Sequence, residues 1–169
     1  MSSAITDNVF FSRYTHLVQN TNIVQAFEQQ AAALLKFYSA ISEQKALHAY
    51  ATSKWTLKEI LQHLIDTERI FTYRALCIAR KETTTLPSYD ENTYAHNSSA
   101  NTRTWASLVA EMDAVRSSTL HLYKAFTVDM LNQTGHFSNT TDTVKNLGFI
   151  MVGHVYHHLK VVNEKYLQL

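Results

Sequence analysis

Four long stretches of the chain carry apolar residues at every third or fourth position, and this spacing limits the fold more than any other feature. It places apolar side chains on one face of an α-helix. Only three Gly and one Pro occur in 169 residues, so long helices with few tight turns are expected. Such helices bury their apolar faces against one another. The sequence therefore predicts an all-α, four-helix bundle in a single domain over residues 1–169.

The first two predicted helices lie in the N-terminal half of the chain. The first runs from about residue 22 to residue 43, and residues 1–20 are expected to be an N-terminal arm or a short helix. At the start of the second helix, Thr56 and Glu59 form the T-x-x-E pattern of a capping box. This helix is expected to end near Arg80.

A long polar connection follows, over residues 81–103, and it contains the single proline. A connection of this length suits a crossover between the second and third bundle helices, or a loop over a site. In the second case Tyr89 and Tyr94 are candidates to line the mouth of the site. The third helix is predicted over residues 104–126. The periodic pattern then breaks before a fourth helix, which begins near Thr143.

Composition excludes several classes of function. A net charge of +1 gives no basic surface for nucleic acid. No run of about 18 apolar residues is found, so no membrane span is expected, and the first residues lack the pattern of a signal peptide. A single cysteine, Cys77, excludes an internal disulfide and fits a reducing compartment. A cytoplasmic protein is therefore expected.

Three of the nine histidines fall within five positions of the last predicted helix, in the sequence GHVYHHLKV. At about 100° per residue, with the core face centred on Met151, His158 lies about 20° from the centre, His154 about 60° and His157 about 120°. His154 and His158 thus share the inward side and can offer two nitrogens to one point. We expect these two residues to be either metal ligands or hydrogen-bonded core residues. His157 lies at the edge of the apolar face and is expected either to assist a site or to be exposed.

A metal site needs a third ligand, and His63 is the one other histidine seated squarely in a predicted amphipathic helix. It lies about 100° from Leu64, at the flank of the apolar stripe, where it can face a neighbouring helix. This position permits a site without proving it. Four other histidines fall off the apolar stripes or in connections and are expected to be exposed: His48, His96, His121 and His136.

Two longer motifs resemble the DinB-like (DinB/YfiT) superfamily: KWTLKEILQHLIDTERIFTYRALCIAR, and TVKNLGFIMVGHVYHHLKVVNEKY after one further helix. The resemblance covers the chain from about residue 22. It implies a four-helix bundle in which His63, His154 and His158 hold a divalent metal ion. Zinc and nickel both suit imidazole ligands, and the sequence does not choose between them.

The resemblance also implies a range of activities on small molecules. Relatives include S-transferases that use low-molecular-weight thiols such as bacillithiol, a mycothiol-dependent isomerase and proteins described as metal-dependent hydrolases. The first hypothesis is a thiol-dependent S-transferase acting on small electrophiles. The second is a metal-dependent hydrolase that uses metal-bound water. The third is a non-catalytic helical module, and a homodimer is expected.

One position departs from the pattern of several relatives. They carry an acidic residue directly after the first histidine of the last helix, where this chain has Val155. The sequence therefore lacks H-E-x-x-H and the general base that this motif supplies. Val155 lies on the apolar face and is expected to pack in the core. Hydrolysis with a base on this helix is accordingly less favoured.

Three other residues near the predicted ligands each allow two interpretations. Asp66 either orients the His63 ring or is an exposed mid-helix aspartate. Glu68 falls inside the apolar stripe, where an unpaired carboxylate is costly, so a partner is expected; an arginine is favoured over the site itself. Gly153, beside His154, either permits a close helix approach or is a tolerated cost in mid-helix.

Overall fold

The computed structural model describes residues 7–167, and side chains from residue 11 onward. Four long helices dominate this part of the chain, which confirms the predicted all-α, four-helix fold. A two-stranded hairpin precedes the last of them, and a 3-10 turn (Ala100–Thr102) and a π-helical turn (Asn163–Leu167) flank the longer elements. The elements are α1 (Asp7–Thr15), α2 (Ile23–Ser39), α3 (Glu43–Ala46), α4 (Leu57–Ala79), α5 (Glu91–Asn97), α6 (Trp105–Ala125), α7 (Val128–Leu131), β1 (Thr134–Phe137), β2 (Thr140–Thr143) and α8 (Val144–Val162).

The four long helices α2, α4, α6 and α8 surround a common core. α4 packs between α6 and α8, and α2 closes the ring by packing against the same two helices. α4 and α6 are parallel, since Glu68 pairs with Arg116 and, one turn further along both helices, Thr72 lies beside Thr119. Two parallel neighbours need a connection that returns along the bundle. Residues 80–104 provide it, which confirms the predicted crossover.

Short polar side chains set the starts of the long helices. Asn22, Thr56, Thr104 and Thr143 each accept a hydrogen bond from a backbone N–H in the first turn. The capping box predicted for the second helix is formed, with Glu59 accepting a hydrogen bond from the Thr56 N–H at 2.7 Å.

The first long helix is shorter than predicted. It ends at Ser39, and α3 begins at Glu43. Ser42 accounts for the break, because its hydroxyl accepts a hydrogen bond from the Lys45 N–H and thereby caps a new helix instead of continuing the old one.

The hairpin is an addition that helical periodicity did not predict. β1 and β2 pair antiparallel, with Phe137 opposite Thr140. Phe137 is fully buried, so the hairpin is part of the core. Leu86 of the crossover lies beside it, accepting a hydrogen bond from the Ser138 N–H at 2.9 Å. The hairpin therefore fixes the crossover against the bundle.

Glu68 has the arginine partner that its place in the apolar stripe required. Arg116 of α6 donates to both carboxylate oxygens of Glu68, with the closest contact at 2.7 Å, and both side chains are buried. Arg116 also donates to the amide oxygen of Gln30 on α2, and the Gln30 amide donates to the Val152 carbonyl on α8. One buried polar network thus joins all four long helices.

No helix between residues 7 and 167 could cross a bilayer, because each is too short or too polar.

Candidate metal centre

Two antiparallel helices bring three histidines together. His63 lies in the second turn of α4, and His154 and His158 lie on successive turns of α8. Because residues four apart share a helix face, both α8 rings point to the same side, toward α4. The structure therefore joins the three histidines that the sequence singled out, although 91 residues separate His63 from His154.

The three rings converge through their Nε2 atoms. His63 Nε2 lies 3.1 Å from His154 Nε2, and His158 Nε2 lies 3.0 Å from the same atom. One nitrogen from each residue falls within 4.8 Å of the other two. Two nitrogens that each lie about 2.0–2.1 Å from one zinc ion are roughly 3 Å apart, so this donor set fits a shared divalent ion. Within residues 11–167, no Asp, Glu or Cys adds an atom to the cluster.

Burial keeps these histidines neutral. Desolvation lowers the pKa of His63 to about 4. It also holds the pKa values of His154 and His158 well below the usual range, with smaller contributions from the neighbouring histidines and from Arg13. Neutral imidazole is the form that binds a metal ion. The site is thus prepared for binding without losing protons near neutral pH.

Aromatic rings enclose the cluster on two sides. The Tyr14 ring of α1 meets the His154 ring edge to face, with centroids 5.1 Å apart. The Trp55 ring lies 4.9 Å from that of His63. Gly153 allows Tyr14 to reach this position, because any side chain at residue 153 would overlap the Tyr14 backbone carbonyl. The close helix approach proposed for Gly153 is therefore present in the structure.

A cavity of about 150 Å³ opens beside the cluster, and His154 forms part of its wall. Tyr89 of the crossover contributes to this wall, and its hydroxyl lies 2.7 Å from that of Thr67. Tyr94 packs against Tyr89 with ring centroids 5.1 Å apart and faces the neighbouring surface groove. The full lining is Phe11, Tyr14, Thr67, Phe71, Arg74, Tyr89, Glu91, Ile150, Met151 and His154.

Other residues weighed from the sequence lie outside the cluster. His157 is half-buried, and its ring packs edge-on against Tyr14 at 5.5 Å. Asp66 accepts a hydrogen bond from Gln62 at 2.9 Å, and the described hydrogen bonds of its carboxylate do not include one to His63. Val155 is buried in the core as expected. The histidines expected to be exposed, His48, His96, His121 and His136, are all exposed.

Sequence reasoning missed most residues of the cavity, among them Tyr14 and Arg74. Tyr14 comes from the N-terminal segment, whose sequence carries no pattern that links it to the last helix. The sequence did indicate an unusual position for Arg74, because this charged residue lies between Phe71 and Ile78 on the apolar face of α4. The argument that required a partner for Glu68 applies equally to this buried arginine.

Comparison with known proteins places the chain in a family. The sequence profile of the DinB superfamily matches residues 26–162. Among solved structures, YfiT from Bacillus subtilis superposes with a TM-score of 0.76 at 19% identity, over 86% of this chain and 85% of that protein. YfiT is described as a probable metal-dependent hydrolase with an unusual four-helix bundle topology. A search of curated proteins gave no match. Because the profile spans most of the sequence, the chain belongs to the DinB superfamily.

Proposed function

We propose that this protein is a metal-dependent enzyme that transfers a small-molecule thiol to small electrophiles, with His63, His154 and His158 as the metal ligands. The observation that carries the proposal is the convergence of three neutral imidazole nitrogens beside a cavity, in a cluster that no carboxylate from residues 11–167 joins. Three protein ligands leave a coordination position open, which is typical of catalytic and not structural sites.

Zinc and nickel are the proposed ions, because imidazole nitrogens suit both. A divalent ion held there would supply Lewis acidity, lowering the pKa of a thiol or a water molecule that reaches it. The residues of this chain have the remaining tasks. His63, His154 and His158 hold the ion, Trp55 and Tyr14 cover the rings, and the cavity receives the substrate.

The surroundings of the histidines favour a thiol over water as the nucleophile. A thiol becomes a strong nucleophile once it loses its proton, and its ordinary pKa is near 8.5, so a modest lowering is enough. Water needs far more activation and usually a positioned general base. Val155 occupies the helix position where a base would stand, and it is buried among apolar side chains.

Hydrolysis is the second candidate, and one cavity residue favours it. Glu91 at the start of α5 lies on the wall of the same cavity as His154, so an acidic group is present without a base on α8. The description of YfiT as a probable metal-dependent hydrolase agrees with this alternative. The non-catalytic module and the homodimer remain predictions, and a cytoplasmic location is proposed because small thiols stay reduced there.

Conjugation of monobromobimane with a panel of thiols (cysteine, glutathione and bacillithiol) tests the proposal. Zinc- or nickel-loaded protein is expected to accelerate conjugation with at least one thiol, whereas chelation or His158→Ala returns the rate to background. His121→Ala, at an exposed position of α6, is the matched control. A different result would favour the hydrolase: no thiol gives metal-dependent conjugation, but a panel of esters and amides gives metal-dependent cleavage. Loss of that cleavage in Glu91→Gln would then replace the transferase proposal with the hydrolase proposal. No metal-dependent turnover in either panel contradicts both.

A further inference from the structure

Arg74 is a buried cation that has no carboxylate partner among the side chains that the structure describes. Arg74 lies on α4, and its side chain is almost entirely buried, with 3% relative exposure. Within residues 11–167, no Asp or Glu lies within ion-pair distance of it. Arg116, equally buried, is paired with Glu68 at 2.7 Å. Burying a charge without a partner is costly, so Arg74 needs a compensating interaction.

The interactions within the protein satisfy Arg74 only in part. Its Nη2 donates a hydrogen bond to the Pro87 carbonyl of the crossover at 2.7 Å. The guanidinium carbon lies 4.9 Å from the ring centroids of both Phe71 and Phe137. A guanidinium carries five N–H donors, so most of them have no hydrogen-bond acceptor among the described residues. Because Arg74 also lines the cavity beside His154, that space is where an acceptor can enter.

The cavity combines this cation with an apolar wall. Phe71, Ile150 and Met151 form apolar surface, while Thr67 and Tyr89 add a hydroxyl pair. A cavity of about 150 Å³ is large enough for a benzene-sized molecule. Glu91 lies on the same wall but is exposed and forms no ion pair with Arg74.

We propose that Arg74 binds the carboxylate of a small anionic substrate whose apolar body packs on Phe71, Ile150 and Met151, next to the histidine cluster. The inference rests on the proposed function, because it names the substrate class of that same site. A carboxylate matches the planar guanidinium, and such charge-assisted hydrogen bonds are the strong ones in proteins. The bond to Pro87 holds the guanidinium in place while its other donors serve the ligand.

Two isosteric ligands test the inference on the unmodified chain. Benzoate and benzamide have the same apolar ring and differ in charge. Their dissociation constants are measured by ligand-observed NMR on chelator-treated protein, so that no metal ion contributes to binding. Benzoate is expected to bind about tenfold more tightly or better, as a charge-assisted hydrogen bond predicts. Equal affinities, or no binding of benzoate, overturn the proposal without any variant.

Variants then assign the preference to Arg74. Arg74→Gln is expected to abolish the preference for benzoate, and Arg74→Lys to retain part of it. Arg80→Gln, which removes one positive charge from the exposed end of the same helix, is expected to keep it. If Arg74 only anchors the crossover, folded Arg74→Gln protein retains the preference, and the proposal fails. If Arg74→Gln does not fold, the wild type decides. Benzoate is expected to shift the NMR signals of the His154 ring, and unchanged signals overturn the proposal.

The inference and the proposed function fail in different experiments. Preference for benzoate in chelated protein, without metal-dependent thiol conjugation, leaves the anion site standing and refutes the transferase. Metal-dependent conjugation without a preference for the anionic ligand refutes only the role of Arg74.

Discussion

At the scale of single residues, enclosure of the histidine rings determines their chemistry. His63 is 4% exposed and lies under the Trp55 ring. The surrounding protein disfavours a charged ring, and the pKa of His63 falls to about 4. The rings therefore remain neutral and able to bind a metal ion at pH values where an exposed histidine is largely protonated.

The lowered pKa of His63 predicts a pH-dependent stability of the metal-free protein. Between pH 6.5, its ordinary pKa, and about pH 4, the unfolded chain binds a proton that the folded chain excludes. Unfolding then takes up protons, so the free energy of unfolding falls as pH falls, by on the order of 3 kcal/mol across the window for this residue.

Urea unfolding of chelated protein at several pH values measures this effect. His63→Leu removes the titrating group, and the fall between pH 6.5 and about 4 is expected to be smaller in this variant. His121→Leu, at an exposed position, should follow the wild type. An identical pH dependence in the wild type and His63→Leu would show that burial does not shift the His63 pKa.

At the scale of helices and strands, Gly153 fixes how the N-terminal helix meets the site. α1 packs on α8, and the Tyr14 backbone occupies the space where a side chain at Gly153 would lie. Gly153→Ala gains helix propensity of about 1 kcal/mol, but backbone overlap forces α1 away, and overpacking costs about 1–3 kcal/mol. Loss of the packing of Tyr14 on His154 adds to the cost.

Gly153→Ala is therefore expected to lower the free energy of unfolding by about 1 kcal/mol or more. Ser117→Ala, at an exposed position of α6, controls for helix propensity and should be neutral or slightly stabilising. Urea unfolding of both variants provides the comparison. Stabilisation by Gly153→Ala would mean that α1 does not rest on α8 as described.

The sequence predicted the elements to different degrees, for physical reasons. Long helices repeat their apolar pattern over several turns and carry caps such as Thr56, so their existence and starts were readable. The strands of the hairpin have four residues each, too few for an alternating pattern to stand out. Their stability depends on burial of Phe137 and on Leu86 from a distant segment, which no local pattern shows.

The same limit applies to the site. The spacing of His154 and His158 is local to one helix, so their shared face followed from geometry alone. Only family resemblance fixed His63 as their partner, because wheel geometry merely permitted it. Tyr14 and the cavity arise from packing between segments far apart in sequence, so neither was predictable from local patterns.

At the scale of the whole molecule, one buried ion pair ties the bundle together. Glu68 and Arg116 link α4 to α6, and Gln30 extends the network to α2 and to the Val152 carbonyl on α8. Glu68→Gln leaves the Arg116 charge buried without a counterion, and breaking a buried pair in this way costs about 3–5 kcal/mol.

A surface ion pair between the same two helices is the matched control. Arg69 pairs with Glu111 near the surface, and Arg69→Gln is expected to cost less than about 1 kcal/mol because water screens the pair. Thermal and urea unfolding compare the two variants. Similar losses for Glu68→Gln and Arg69→Gln would contradict a dominant role for the buried network.

The proposed metal centre depends on the assembled bundle, because the histidines proposed as its ligands lie on α4 and α8, with 91 residues between His63 and His154. The most direct test is the metal content of the chain after loading with zinc or nickel and removal of excess ion, measured by mass spectrometry. The account predicts about one ion per chain for the wild type and for His121→Ala, and less than about a tenth of that for His158→Ala. Equal metal content in the wild type and His158→Ala, or none in the wild type, would contradict it.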